Sequence, residues 1–164
     1  MKKPEQIGIE FVLPMEAGWL YQHGIESLNQ LFRQLSPYRE PLTAENFKKL
    51  ADESACFLVA IDLGRNDGHI VGIARLIVAR KGTIRYGVVH DVVVDAAYRG
   101  RGIGQALVQK LLALARRFHL DSVQLTSKPA RVEANLMYQT MGFSLISPAD
   151  PCIEGSTNHY QLAL

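Results

Sequence analysis

A β-branched run, Val92-Val93-Val94, passes through Asp95-Ala96-Ala97-Tyr98 into Arg99-Gly100-Arg101-Gly102-Ile103-Gly104, and an amphipathic segment follows at once. A glycine costs a helix about 1 kcal/mol relative to alanine, so three of them at a helix start need a reason. Without Cβ, the backbone N–H groups at a helix N-terminus can close around an anion. The stretch therefore predicts a strand, a phosphate-gripping turn and a helix in direct succession.

Two common phosphate loops fail on residues. A dinucleotide fingerprint needs G-x-G-x-x-G and an acidic residue ending the next strand. Here the glycines run G-x-G-x-G, Gln105 stands where the last glycine belongs, and Asp121 precedes the next strand instead of ending it. A nucleotide P-loop needs Gly-Lys-Ser/Thr, which occurs nowhere in the chain.

Arg99 to Gly104 does fit Gln/Arg-x-x-Gly-x-Gly/Ala, and so resembles the acyl-CoA pyrophosphate loop of the GNAT N-acetyltransferase superfamily. Asn135-Leu136-Met137-Tyr138-Gln139-Thr140-Met141-Gly142-Phe143 resembles the same family's Ala-Asn-x-x-Tyr-x-x-x-Gly-Phe segment. The resemblance runs from Val88 to Phe143. It implies the GNAT fold, acetyl-CoA as co-substrate and transfer to a primary amine.

The length of 164 residues predicts one domain spanning residues 1–164 with a proper core. No apolar run reaches membrane-spanning length, and Met1 to Gln6 lacks the apolar stretch of a signal peptide. With only Cys56 and Cys152, a reducing cytoplasm is expected and a disulfide framework is not. Net charge is +2, unevenly spread: Arg75 to Arg131 holds eleven Lys/Arg against three acids. A basic half around a glycine loop suits a co-substrate bearing several phosphates. Nucleic acid is the rival partner, but no zinc-finger spacing, RNA-binding signature or long basic run supports it.

Alternation at Ile7, Ile9, Phe11 and Leu13 predicts a strand. Trp19 to Leu35 has helical spacing, with Gly24 as a break point. Pro37 and Pro41 bracket a loop, and Thr43 is placed to cap a helix ending near Glu53, stapled by Leu42 and Phe47. Strands are expected at Phe57–Leu63 and Ile70–Ala79, joined by the turn Gly64–Gly68, and then at Arg85–Val94. A helix over Gly102–His119, a strand over Ser122–Thr126 and a helix over Arg131–Met141 capped by Gly142 follow. Strands at Phe143–Ile146 and His159–Leu162 close the chain. The expectation is an α/β fold: a central, mixed, mostly antiparallel twisted sheet of about six to seven strands flanked by about four helices.

An acetyltransferase must hold the acyl group beside the amine, drain a proton from that amine and return one to the departing thiolate. By the resemblance, Arg99, Gly100, Arg101, Gly102, Ile103, Gly104 and Gln105 hold the pyrophosphate, mainly through backbone N–H groups and the helix dipole. Val92, Val93 and Val94 pair their backbone with the pantetheine arm along a splayed strand, and Asn135 hydrogen-bonds the same arm. Tyr138 is the general acid for the thiolate. His90 and Asp91 are both candidate proton acceptors, on opposite faces of one strand, with Asp91 alternatively a buried orienting group. His23, His69, His119 and His159 have no metal-ligand spacing, so no metal is expected.

The first helices and their loop would build the acceptor wall, with Tyr38, Arg39 and Glu40 in position to read a substrate. His90-Asp91-Val92-Val93-Val94-Asp95 resembles the Glu-Asp-Val-Val-Val-Asp strand of glucosamine-6-phosphate N-acetyltransferases, with His90 replacing Glu. Thr126 to Arg131 is similar to bacterial members of unassigned substrate, so the acceptor stays open. An acyl-CoA-binding sensor without catalysis is the alternative from another class. The C-terminal strands could pair a homodimer.

Overall fold

The computed structural model describes residues 7–11, 17–65 and 67–164. Met1 to Gln6, Leu13 of the first expected strand and Asn66 of the expected turn lie outside the described residues. The elements appear in the expected order: β1 (Ile7–Phe11), α1 (Ala17–Leu35), α2 (Ala44–Asp52), β2 (Cys56–Asp62), β3 (Ile70–Lys81), β4 (Ile84–Val94), α3 (Ile103–Arg117), β5 (Ser122–Ser127), α4 (Val132–Thr140), β6 (Ser144–Ser147) and β7 (Asn158–Ala163). The strands hydrogen-bond in the order β1-β2-β3-β4-β5-β7-β6. The β4–β5 pair is parallel, while β1–β2, β2–β3, β5–β7 and β6–β7 are antiparallel. A mixed α/β fold of seven strands and four helices among the described residues is thus the expected class. No described helix is long and apolar enough to cross a membrane.

The chain forms two compact units, Met1–Ile77 with His90–Leu111, and Val78–Val89 with Leu112–Leu164. In the first, Leu28, Leu31 and Phe32 of α1 pack in one buried cluster with Phe47 of α2 and Phe57, Val59, Ile70 and Ile73 of the strands. The Phe47 and Phe57 rings meet edge to face at 5.7 Å. Thr43 caps α2 as its sequence position predicts, Oγ1 accepting the Asn46 N–H at 3.2 Å, and Leu42 and Phe47 are both buried. Gly24 does not break α1; the apolar stripe through Ile25, Leu28, Phe32 and Leu35 outweighs its cost of about 1 kcal/mol.

In the second unit, the helix ends do the positioning. The α3 helix stops short of His119, which takes φ +54°. There the Leu120 and His119 N–H groups bond the Ala115 and Arg116 carbonyls at 3.1 and 3.0 Å, a left-handed cap made without glycine. The same cap closes α4, with Gly142 at φ +93°. The Phe143 N–H bonds the Tyr138 carbonyl and the Gly142 N–H the Gln139 carbonyl, each at 3.0 Å. The Gly-Phe pair thus folds Phe143 back against Tyr138, ring centroids 6.0 Å apart.

Candidate active site

The glycine loop is built on a chain of side-chain ties. Asp95 closes a 3₁₀ turn over Ala96–Tyr98 by accepting the Ala97 N–H at 2.8 Å. Gln34 of α1 holds the turn from the other side, donating to Asp95 Oδ2 at 2.9 Å and accepting the Ala96 N–H at 3.0 Å. Tyr98 donates its hydroxyl to buried Asp62 at 2.8 Å. Arg99 bonds the Val94 carbonyl at 3.1 Å and Arg101 the Ala97 carbonyl at 2.9 Å, so both guanidiniums brace the loop's own backbone.

Gly100 and Gly102 take φ +74° and +76°, a region that side-chain-bearing residues rarely occupy. A Cβ at either position would meet nothing within 4 Å. The backbone conformation therefore demands glycine here, and the space over the loop is open. Gly102 accepts the first helical hydrogen bond, from Ala106 at 2.9 Å, which leaves the N–H groups at Ile103, Gly104 and Gln105 without intrahelical acceptors. Ile103 is buried, Gly104 is partly exposed and Gln105 is exposed. The loop can therefore present donors to an anion at the positive end of a helix dipole.

Along β4, Val89 and Val93 are buried, His90 is exposed, and Val92 and Val94 are intermediate. Of the three valines, only Val93 is a core side chain. The β4–β5 register runs from Tyr86↔Ser122 to Val89↔Leu125, and two residues later Asp91 takes φ +51°. Its carboxylate accepts Nε of Arg75 at 2.7 Å and Nη1 of Arg39 at 3.3 Å. His90 is depressed below its usual pKa of 6.5, first by the protein withholding water from its ring and then by Arg75, with Asp91 opposing. A ring so placed is neutral at pH 7 and able to accept a proton.

In the second unit, Asn135 and Tyr138 lie one turn apart on α4 and are both buried. Asn135 donates through Nδ2 to the carbonyls of Lys128 and Pro129 at 3.0 and 3.3 Å. Its Oδ1 is buried and has no hydrogen-bond partner. Tyr138 packs against Phe143 and, at 6.1 Å between centroids, Tyr160. Burial pushes its phenol up to about 12, so it is held protonated as an O–H donor.

Gln34, Asp62 and Tyr98 support the glycine loop and Arg75 supports Asp91, and none was singled out by motif. Arg75 and Asp62 did carry a signal, being charges in apolar strands that need partners once buried. Of the loop expected to read a substrate, Tyr38 is 95% exposed, whereas Arg39 stacks 4.0 Å over the Phe32 ring. An open pocket of about 330 Å³ is lined by Arg39, Glu40, Leu42, Asn46, Lys49 and Glu53 among others. Among the described residues, no group of His, Cys, Asp and Glu could hold a metal ion.

A family model described as the acetyltransferase (GNAT) family matches residues 24–143. Glucosamine 6-phosphate N-acetyltransferase 1 of Oryza sativa subsp. japonica is 41% identical over 93 residues, 52% of this chain and 56% of that protein. N-acetylaspartate synthetase of Xenopus tropicalis is 32% identical over 107 residues, 64% of this chain and 36% of that protein. The chain thus spans about half or less of the length of these curated relatives. The crystal structure of Arabidopsis thaliana NAA60 in complex with acetyl-CoA shares the fold, with a TM-score of 0.71 over 97% of this chain and 98% of that one at 20% identity.

Proposed function

The chain belongs to the acetyltransferase (GNAT) family, and from that premise we propose that it is an acetyl-CoA-dependent N-acetyltransferase working by direct attack of a primary amine in a ternary complex. The observation that carries this is the pair of positive-φ glycines, Gly100 and Gly102, opening α3 beneath unobstructed space. That cradle fits a diphosphate, and the unpartnered Oδ1 of Asn135 fits an amide N–H. Arg99 to Gln105 would hold the pyrophosphate, and Asn135 with the backbone of Val92 to Val94 the pantetheine arm.

In transfer, a nitrogen–carbon bond forms to the acetyl group and the carbon–sulfur bond breaks. His90 takes the proton the amine loses, because the residue is reachable from solvent while its ring is held neutral by partial desolvation and Arg75. Both Asp91 oxygens already accept guanidinium donors, so Asp91 is assigned positioning. Tyr138 donates its phenolic proton to the departing thiolate. The pocket beside Arg39 is assigned to the acceptor's non-reacting part. The relatives' names contain a phosphate ester and N-acetylaspartate, which favours a small anionic amine over a peptide.

Thiol release from acetyl-CoA, followed across a panel of amino sugars, amino acids and peptides, tests the reading. Amine-dependent thiol release is the expected result. Acetyl-CoA binding with no release for any amine would contradict catalysis and leave a binding module.

A further inference from the structure

Asp91 joins two other segments, β3 and the α1–α2 loop, to β4. Its Oδ2 takes Nε and Nη2 of Arg75, each at 2.7 Å, and its Oδ1 takes Nη1 of Arg39 at 3.3 Å. Arg75 is itself fixed, being 7% exposed and donating through Nη1 to Ser54 Oγ at 3.1 Å and the Leu50 carbonyl at 3.3 Å. Arg39 is fixed by its stacking on Phe32, yet its side chain keeps 31% exposure and lines the open pocket. A non-glycine residue at φ +51° is strained and persists only where its surroundings over-determine it. The two guanidiniums supply that determination, and the strained residue is the direct neighbour of His90.

Resting on the acetyltransferase reading, we propose that Arg75 and Arg39 are positioning residues of the transfer step: acting through Asp91, they hold the kink in β4 and so the His90 ring, Arg39 doing so from the wall of the pocket. A partly buried carboxylate held by two cations is a rigid anchor, and either arginine removed leaves a charge short of partners. The charges acting on the His90 ring are Arg75 from β3 and Asp91 from its own strand, with Arg39 neutralising Asp91 from the α1–α2 loop. The device therefore governs both the aim of the base and the pH at which it is free.

The test is an NMR titration of the His90 imidazole, assigned with His90→Gln, in the wild type, Arg39→Gln and Asp91→Asn. Arg39 is partly exposed and Asn tolerates the left-handed region, so both variants are expected to fold. The His90 midpoint should rise in Arg39→Gln, where Asp91 is less neutralised, and fall in Asp91→Asn. With the amine found by thiol release, Arg39→Gln should lower kcat about tenfold at an unchanged KM for acetyl-CoA, the cost of a misaimed group. Its acid limb should also move to higher pH. Midpoints unmoved in both folded variants would overturn the proposal. Because the titration needs no acceptor, a protein that shows these shifts but acetylates no amine refutes the acetyltransferase reading and not the coupling.

Discussion

The Tyr98 hydroxyl donates to Oδ2 of Asp62 across 36 positions of sequence, tying the turn before the glycine loop to the last residue of β2. The Tyr98 ring also carries the Arg101 guanidinium 4.9 Å from its centroid. Tyr98→Phe keeps the ring and removes one donor from a buried carboxylate. It should cost about 1 kcal/mol and lower Tm by roughly 2–4 °C, with acetyl-CoA binding weakened a few-fold. Calorimetry checks both; an unchanged Tm together with unchanged affinity would show the tie to be idle.

Gly72 sits in a tight place for a different reason. A Cβ there would meet the Val93 carbonyl oxygen and Leu107 Cδ1, both at 3.3 Å, and Ile103 Cγ2 at 3.4 Å. Backbone and two α3 side chains would have to yield. Gly72→Ala should destabilise by about 1–3 kcal/mol and Gly72→Val by more, as overpacking does. Denaturant midpoints equal to the wild type would mean that α3 shifts freely on the sheet.

Tyr138→Phe removes the phenolic proton that the proposed mechanism uses while keeping the ring contacts with Phe143 and Tyr160. We expect kcat to fall about 10²-fold or more, with the KM for acetyl-CoA nearly constant. The Tyr138 pKa is raised from 10 in the unfolded chain to about 12, so the folded state binds this proton more tightly. Its contribution to stability is full below about pH 10 and is lost as pH rises through about 12. The Tyr138→Phe protein should lack that alkaline loss. Undiminished turnover removes Tyr138 from the mechanism.

Much of the local structure that carries the candidate site was legible because its signals are local. The Gly-Phe pair after α4 closes a helix cap within six residues, and Thr43 caps α2 within four. The kink at Asp91 was not legible, since Val89, Asp91 and Val93 satisfy strand alternation whether or not the backbone turns left-handed. Its partners lie 16 and 52 positions away, a separation that leaves no periodic trace. His119 shows the same limit: a cap without glycine gives the sequence no reason to end the helix at Arg117.

The central claim, that the loop from Arg99 to Gln105 grips the acetyl-CoA pyrophosphate, is tested most directly by calorimetric titration of acetyl-CoA into the wild type and Gly102→Glu. Position 102 has room for a side chain, so the variant should keep its fold apart from left-handed strain of about 1–2 kcal/mol. It also places a carboxylate where phosphates would sit. The account predicts tight binding to the wild type and none to a folded Gly102→Glu. Equal binding by the two proteins, or no binding by a folded wild type, would contradict it.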